Sequence, residues 1–389
     1  MPEPEPLFTS CAVGAEASMP RIFLLLLIAS VPAEASNIYQ EPGWKPTAIP
    51  LLNYSSDYGT GYGLRFSLFR YEGQTLGYNR AYSAQLFFTT RGRWVHRLYL
   101  DLPQWRPGQR LEIEMLLEKE HHANYYGDLR DPAVDQLLGT ANHQARVDRT
   151  TFRQLNRSLR LMWLRSLHAP WGLRLELRAS DNEVEANAIE GSLLHLLHPL
   201  GASGGTLLQL RSALRCDTRD DYLNSTRGQL VELEIEFDAG GKGAFHGGQL
   251  GFEHRYFVPL PAGLVLADRF NFAWAYGALP FFAFPDLGGS DTIRGLMASR
   301  VRGRARLLGN AELRWRGLNL FPQEQISGGL VLFADAGQIF KPAAGPDLHH
   351  WYCGTGLGGR FFWHSTIVRG DLGRSGGQWG IYLTFSQVF

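Results

Sequence analysis

The sequence predicts an all-β protein: one antiparallel β-barrel that crosses a membrane with its strands. Three observations predict it. From residue 48 onward the chain falls into segments in which apolar and polar side chains alternate, the period of a strand with two different faces. The polar faces carry charges of both signs, which a wet barrel interior accepts but which would leave a soluble sandwich short of core residues. The segment Trp379 to Phe389 closes the sequence on an aromatic residue, and a strand of about 9–11 residues is what a membrane-crossing β-strand needs.

In that segment Trp379, Ile381, Leu383, Phe385 and Phe389 share one face, and Gly380, Tyr382, Thr384 and Ser386 the other. One face is suited to lipid and the other to a lumen. In Gln229–Asp238, Val231, Leu233, Ile235 and Phe237 oppose Glu232, Glu234, Glu236 and Asp238. In Arg110–Glu118, Leu111, Ile113, Met115 and Leu117 oppose Glu112, Glu114 and Glu118. Trp171–Ala179 sets Leu173, Leu175 and Leu177 against Arg174, Glu176 and Arg178, and Arg304–Arg316 sets Leu307, Ala311, Leu313 and Trp315 against Arg306, Asn310, Glu312 and Arg314.

Taken in order, the segments make 16 strands: 48–56, 62–71, 81–90, 93–102, 109–119, 150–165, 171–180, 206–216, 228–238, 246–257, 263–276, 304–316, 327–336, 352–363, 365–372 and 379–389. An even count places both ends of the barrel in the periplasm of a bacterial-type outer membrane. The connections 103–108, 166–170, 217–227, 258–262 and 317–326 then fall on the periplasmic side and are short. Those at 120–149, 181–205, 277–303 and 337–351 fall outside and are long. This asymmetry is the one expected of an outer-membrane barrel. A short helix is expected on the outer surface within Ala186–Leu197.

The bulk properties agree. Lys and Arg number 38 and Asp and Glu 37, a formal net charge of +1, which excludes the strong basic excess of a nucleic-acid binder. The longest apolar run is Ile22 to Val31, shorter than the roughly 18 residues a transmembrane helix requires. Met19-Pro20-Arg21 before that run and Ala33-Glu34-Ala35 after it have the layout of a secretory signal. The expectation is a leader over residues 1–36 with its true start at Met19, a short periplasmic segment over 37–47, and the barrel over 48–389. Cys11 belongs to the leader. Cys216 and Cys353 fall at opposite ends of the barrel, too far apart for a disulfide. His121-His122, His349-His350 and the pair His195 and His198 lie in outer loops as solvated residues, without the spacing of a metal ligand set, and neither metal nor other cofactor is expected.

Three segments say more than barrel. Leu287-Gly288-Gly289-Ser290-Asp291-Thr292-Ile293-Arg294-Gly295 lies in the connection 277–303, and Phe333-Ala334-Asp335-Ala336-Gly337 closes the thirteenth strand. Asp217-Thr218-Arg219-Asp220, followed by Thr226-Arg227-Gly228, makes a periplasmic turn. In their order and spacing, and with the terminal Phe389, these resemble the bacterial surface antigen barrel of the BamA/TamA superfamily of outer-membrane insertases and translocators. The resemblance covers residues 48–389. It implies that the sixth outer loop folds into the lumen and that its tip, Ile293, Arg294 and Gly295, sets Arg294 against the lumenal carboxylate of Asp335, with Phe333 and Gly337 completing the strand motif. Leu296 stands where the family usually has an aromatic residue. The residues themselves support an inward Asp335, which shares strand parity with Val331 and Phe333 while Leu330, Leu332, Ala334 and Ala336 form the apolar face. Asp217, Arg219 and Asp220 read as turn-forming residues at the membrane edge, with Arg227 and Gly228 restarting the next strand.

The resemblance implies action at the seam between first and last strand, where an incompletely paired edge can template an incoming strand. Partners would be outer-membrane lipid and a client polypeptide or a separate periplasmic protein; about ten residues before the first strand leave no room for the receptor (POTRA) modules usual in that family. A second reading is a passive pore for small solutes, its lumen lined by Arg174, Glu176, Glu232, Glu234, Glu236 and Arg306. No G-x-S-x-G or H-E-x-x-H motif points to an enzyme.

Overall fold

The computed structural model describes residues 42–72, 78–127, 143–187, 191–222, 224–321, 326–363, 366–385 and 387–389. The barrel strands are β1 (Gly43–Ser55), β2 (Gly59–Tyr71), β3 (Arg80–Thr89), β4 (Arg93–Arg106), β5 (Gln109–Asn124), β6 (Thr151–Ser166), β7 (Trp171–Ala186), β8 (Gly205–Asp217), β9 (Gly228–Ala239), β10 (His246–Leu260) and β11 (Leu264–Ala278). A two-stranded ribbon of β12 (Asp286–Leu287) and β13 (Val301–Arg302) follows, and then β14 (Ala305–Phe321), β15 (Ile326–Phe340), β16 (Tyr352–Trp363), β17 (Thr366–Ser375) and β18 (Gln378–Phe385) return to the wall. Sixteen strands close an antiparallel barrel in which sequence neighbours are also spatial neighbours, β11 meeting β14 across the ribbon-bearing loop. Among the described residues two short α-helices, α1 (His143–Thr150) and α2 (Leu193–Leu197), lie in the outer loops.

The alternation in the sequence becomes the two faces of the wall. Leu64, Leu98, Met115, Leu233, Leu330, Leu332 and Leu357 stand exposed on the outer face, where lipid covers them, while Glu112, Glu176, Glu236, Glu312, Arg314 and Asp371 are buried on the inner one. Pairing is continuous around most of the wall: β10 and β11 pair over fifteen successive residue pairs, from His246↔Ala278 to Leu260↔Leu264.

Several boundaries differ from the sequence expectation for one reason. Alternation marks a strand only while one face meets lipid, but backbone pairing continues above the membrane, where both faces are polar. β5 therefore runs to Asn124, β7 to Ala186 and β15 to Phe340, so Gly337 lies inside a strand rather than at its end. β1 begins at Gly43, inside the segment expected to precede the barrel. The helix expected within Ala186–Leu197 is confined to Leu193–Leu197, and residues 188–190 lie outside the described set. The proposed leader also lies outside the described residues. Cys216 and Cys353 form no disulfide.

The largest correction concerns the last strand. β18 ends at Phe385, and residues 387–389 leave the wall. Phe389 does not share the lipid face. It is buried inside the barrel against Phe257, Val265 and Ala267 of the opposite wall, 6.3 Å between the Phe257 and Phe389 ring centres. An apolar seat across the lumen wins over the short stretch of lipid-facing strand that alternation alone favours.

Candidate functional site: the lumenal loop and the seam

The loop between β11 and β14 turns into the lumen because its own backbone allows it. Gly288, Gly289 and Gly295 take φ of 117°, 90° and 93°, which glycine adopts freely and other residues do not. Thr292 ties the turn, its hydroxyl donating to the Gly288 carbonyl and accepting from the Gly288 N–H, both at 2.8 Å. Ile293 and Leu296 then anchor the tip in an apolar cluster with Leu287, Leu308 and Ile339. Leu296 is buried in that cluster, with Val301 and Tyr352 packed against it. Gly337 leaves room there, since a Cβ at that position would sit 2.9 Å from Leu287.

Arg294 is fully buried at the centre of this site. Its Nε and Nη2 donate to the two oxygens of Asp335 at 2.9 and 2.8 Å, and its backbone N–H donates to the same carboxylate at 3.0 Å. Its Nη1 reaches Glu312 at 2.6 Å and Asp371 at 3.1 Å. The guanidinium also stacks over Phe333, 3.5 Å from the ring centre. One loop residue thus fastens β14, β15 and β17 together. Asn310 joins them, donating to Asp335 at 2.8 Å and to the Thr292 carbonyl at 2.7 Å.

The sequence placed Glu312 and Arg314 on the polar face of their strand without a role at the loop tip, and Asp371, Arg360 and Arg369 were not singled out. Arg314 Nε donates to Glu312 at 2.8 Å, and Arg360 Nη1 to Asp371 at 2.5 Å. Arg369 Nε lies 3.5 Å from Asp371. A cradle of glycines, also missed, lets the loop approach the wall. A Cβ on Gly354 would stand 2.4 Å from the Arg294 carbonyl, and one on Gly373 would stand 2.8 Å from the Arg294 carbonyl carbon. The signal was in the sequence: Gly354, Gly356 and Gly358 occupy successive inward positions of one strand, where a wall with nothing packed on it would carry larger side chains.

The remaining motif residues lie elsewhere. Asp217 and Arg219 pair at the periplasmic end of β8, Nη2 to Oδ2 at 2.8 Å. Asp220 accepts from the N–H groups of Asp221, Thr226 and Arg227 at 3.0, 2.9 and 3.2 Å. Burial raises the Asp220 carboxyl, but hydrogen bonds from the Thr226 hydroxyl and the N–H groups of Thr226, Arg227 and Asp221 outweigh burial and hold it at about 2. Gly228, φ 91°, lies where a Cβ would meet the Thr218 carbonyl at 2.2 Å. This turn does not touch Arg294, and its Asn224 lies within hydrogen-bond distance of Gln387, at 3.3 Å. Of the histidines expected in outer loops, His121 and His122 instead lie in the upper end of β5, where His121 packs on Trp94, and His350 Nδ1 contacts Asp347 at 2.6 Å. Among the described residues no group of His, Cys, Asp or Glu could hold a metal ion.

The seam lies beside the loop. β1 pairs with β2 over thirteen residues, Gly43↔Tyr71 to Ser55↔Gly59. Among the described residues it pairs with β18 only at Tyr54↔Leu383 and Ser55↔Tyr382. Just above, the Ser56 N–H donates to the Ile381 carbonyl at 3.0 Å. N–H groups of every second residue point to the same strand edge, so Pro46 and Pro50 share the seam edge with Ser56 and supply no donor there. Proline in a strand is confined to such unpaired edges. The loop spans this gap. The Gly295 N–H donates to the Tyr382 hydroxyl of β18 at 3.2 Å, and the Ala298 N–H donates to Asp57 of the β1–β2 turn at 2.9 Å.

A family model for the Omp85 superfamily domain matches residues 52–358. The chain belongs to the Omp85 superfamily. Its barrel fold is that of BamA from Haemophilus ducreyi lacking POTRA domains 1–3, with a TM-score of 0.60 and 12% identity over 89% of this chain and 70% of that one. It is also that of CdiB from Escherichia coli, with a TM-score of 0.60 and 12% identity over 88% and 63% of the two chains, and of CdiB from Acinetobacter baumannii, at 0.54 and 12% over 89% and 65%. The Omp85 chain described here spans less than two thirds of either CdiB chain. No curated protein matches the sequence. As an Omp85 barrel, the protein is integral to a bacterial-type outer membrane.

Proposed function

We propose that this Omp85 barrel assists insertion or translocation of a polypeptide at the outer membrane by offering the free edge of β1 to an incoming strand. One observation carries the reading: among the described residues β1 is paired along thirteen residues on one side and at two residue pairs on the other. An edge with unpaired backbone groups is a template for another strand. The lumenal loop bridges the top of the seam through Tyr382 and Asp57, so the edge below stays free while the barrel remains closed. Extended without a bulge, the register of the two existing pairs would set Ile49 opposite Val388 and Ala48 opposite Phe389. The segment that now lies in the lumen could therefore complete the seam, and its exchange between lumen and wall would open and close the template. Such work is mechanical and needs no covalent chemistry. It calls for a client polypeptide and surrounding lipid, and it leaves room for a periplasmic partner. A passive solute pore is less well supported. The expected lumen residues pair along the wall, Arg174 with Glu232 and Glu234 at 2.6 Å each, and the loop tip and residues 387–389 fill the interior beside β14 to β18.

The test is the folding of an unrelated small barrel protein into lipid vesicles carrying this protein with Tyr54→Cys and Leu383→Cys, in a Cys216→Ser, Cys353→Ser background. Acceleration in the reduced state that disappears when the seam is oxidised is the expected result. Acceleration that survives oxidation, or none in either state, would remove the seam from the reaction.

A further inference from the structure

We propose that Arg314, Arg360 and Arg369 form a binding site for an oxyanion, a phosphate or carboxylate group, which competes with residues 387–389 inside the lumen. The side chains around the loop tip point to it. Around the loop tip four guanidiniums, of Arg294, Arg314, Arg360 and Arg369, face three carboxylates, of Glu312, Asp335 and Asp371, and all seven side chains are nearly or fully buried. Asp291, the other acid touching Arg369, is largely exposed and 3.3 Å away. A buried charge without a full complement of partners is costly.

The three outer arginines form a connected rail. Arg314 and Arg360 share Glu312, at 2.8 and 3.6 Å, while Arg360 and Arg369 share Asp371, at 2.5 and 3.5 Å. Among the described residues each keeps one buried nitrogen that makes no hydrogen bond: Nη1 of Arg314, Nη2 of Arg360, whose contact with Glu312 is 3.6 Å long, and Nη1 of Arg369. The loop's own arginine has no such orphan among the described residues, because each of its three side-chain nitrogens donates to Asp335, Glu312 or Asp371. The rail already binds oxygen in cis. Arg314 Nη2 donates to the Phe389 main-chain oxygen at 3.2 Å, and Arg360 Nε donates to the Gln387 side-chain oxygen at 2.9 Å. An oxyanion that reached the rail would use these same donors together with the three nitrogens that have no hydrogen bond. Guanidinium forks match such groups in shape. Its arrival would release residues 387–389 from the lumen. This coupling, though not the site itself, rests on the tail exchange proposed above.

The experiment is calorimetric titration of inorganic phosphate into the full protein in detergent micelles. Phe389→Ala, which loosens the tail, is expected to bind phosphate about tenfold more tightly than the unaltered protein, and adding Arg360→Gln is expected to weaken binding about tenfold, the scale of one charged hydrogen bond. Arg97→Gln, on the far wall, is expected to change nothing. If Arg360→Gln does not give a heat-modifiable folded barrel, Arg369→Lys, which keeps the charge and removes the fork, takes its place with the same expected loss. A peptide with a free terminal carboxylate and its amide form the second arm. Binding of the carboxylate peptide but not the amide would assign the oxyanion to a polypeptide, and binding of phosphate would assign it to a phosphoryl group; either supports the site. No binding in any arm, or equal loss in Arg97→Gln, would overturn it. In a separate Ile49→Cys, Val388→Cys protein the tail is read by cross-linking. Phosphate that binds without raising the cross-link would retire the tail exchange and leave the anion site standing.

Discussion

The backbone N–H and the guanidinium of Arg294 close on one carboxylate, that of Asp335, although 41 residues separate them. The loop tip is therefore fixed in position as well as in charge. A side chain alone could swing; a side chain and its own amide bound to the same two oxygens cannot.

Arg294→Ala leaves Asp335, Glu312 and Asp371 buried without their shared cation. Breaking a buried pair in this way costs about 3–5 kcal/mol. The midpoint of heat- or urea-induced unfolding in lipid vesicles should fall accordingly, and Arg294→Lys should recover only part of it, because one ammonium cannot serve three carboxylates on three strands. A midpoint unchanged in Arg294→Ala would mean the tip does not brace the wall.

The glycine cradle gives a steric test without any change of charge. Gly354→Ala places a Cβ 2.4 Å from the Arg294 carbonyl and should expel the tip, at a cost of about 1–3 kcal/mol. Gly359→Ala, whose Cβ would meet nothing within 4 Å, should be neutral. Protease cleavage of the loop between β11 and β14 reads both: faster cutting is expected in the first protein only.

Tyr382→Phe removes the acceptor for the Gly295 N–H and should cost about 1 kcal/mol of stability. Its larger effect should be on the seam, because it frees β18 from the loop. Disulfide formation in Ile49→Cys, Val388→Cys should then become faster. An unchanged rate would show that the loop does not control the tail.

The periplasmic turn has its own pH dependence. The Asp220 carboxyl is held at about 2, below its ordinary 3.8. A depressed carboxyl stabilises the folded turn above its unfolded value, and that stabilisation is lost as pH falls from about 4 through about 2. Amide exchange at Thr226 and Arg227 should accelerate over that interval, and in Asp220→Asn the acid-dependent step should vanish.

The sequence by itself determined the wall. Alternation over sixteen segments dictates two-faced strands, and an even number of them dictates which connections face the periplasm, because both follow from backbone geometry and local composition. It also carried the pair of Arg294 and Asp335 as a motif, whereas Pro46 and Pro50 mark an unpaired edge only once β1 is seen to begin at Gly43. Only the tertiary structure decided what meets across the lumen. Glu312, Asp371, Arg314 and Arg360 look like any inward charges of alternating strands until the loop tip is placed among them. Phe389 fits the lipid face by parity and leaves it because Phe257, Val265 and Ala267, on strands distant in sequence, offer a buried seat. Periodicity records which side of its own strand a residue occupies; which distant surface it touches depends on how the whole barrel curves and closes.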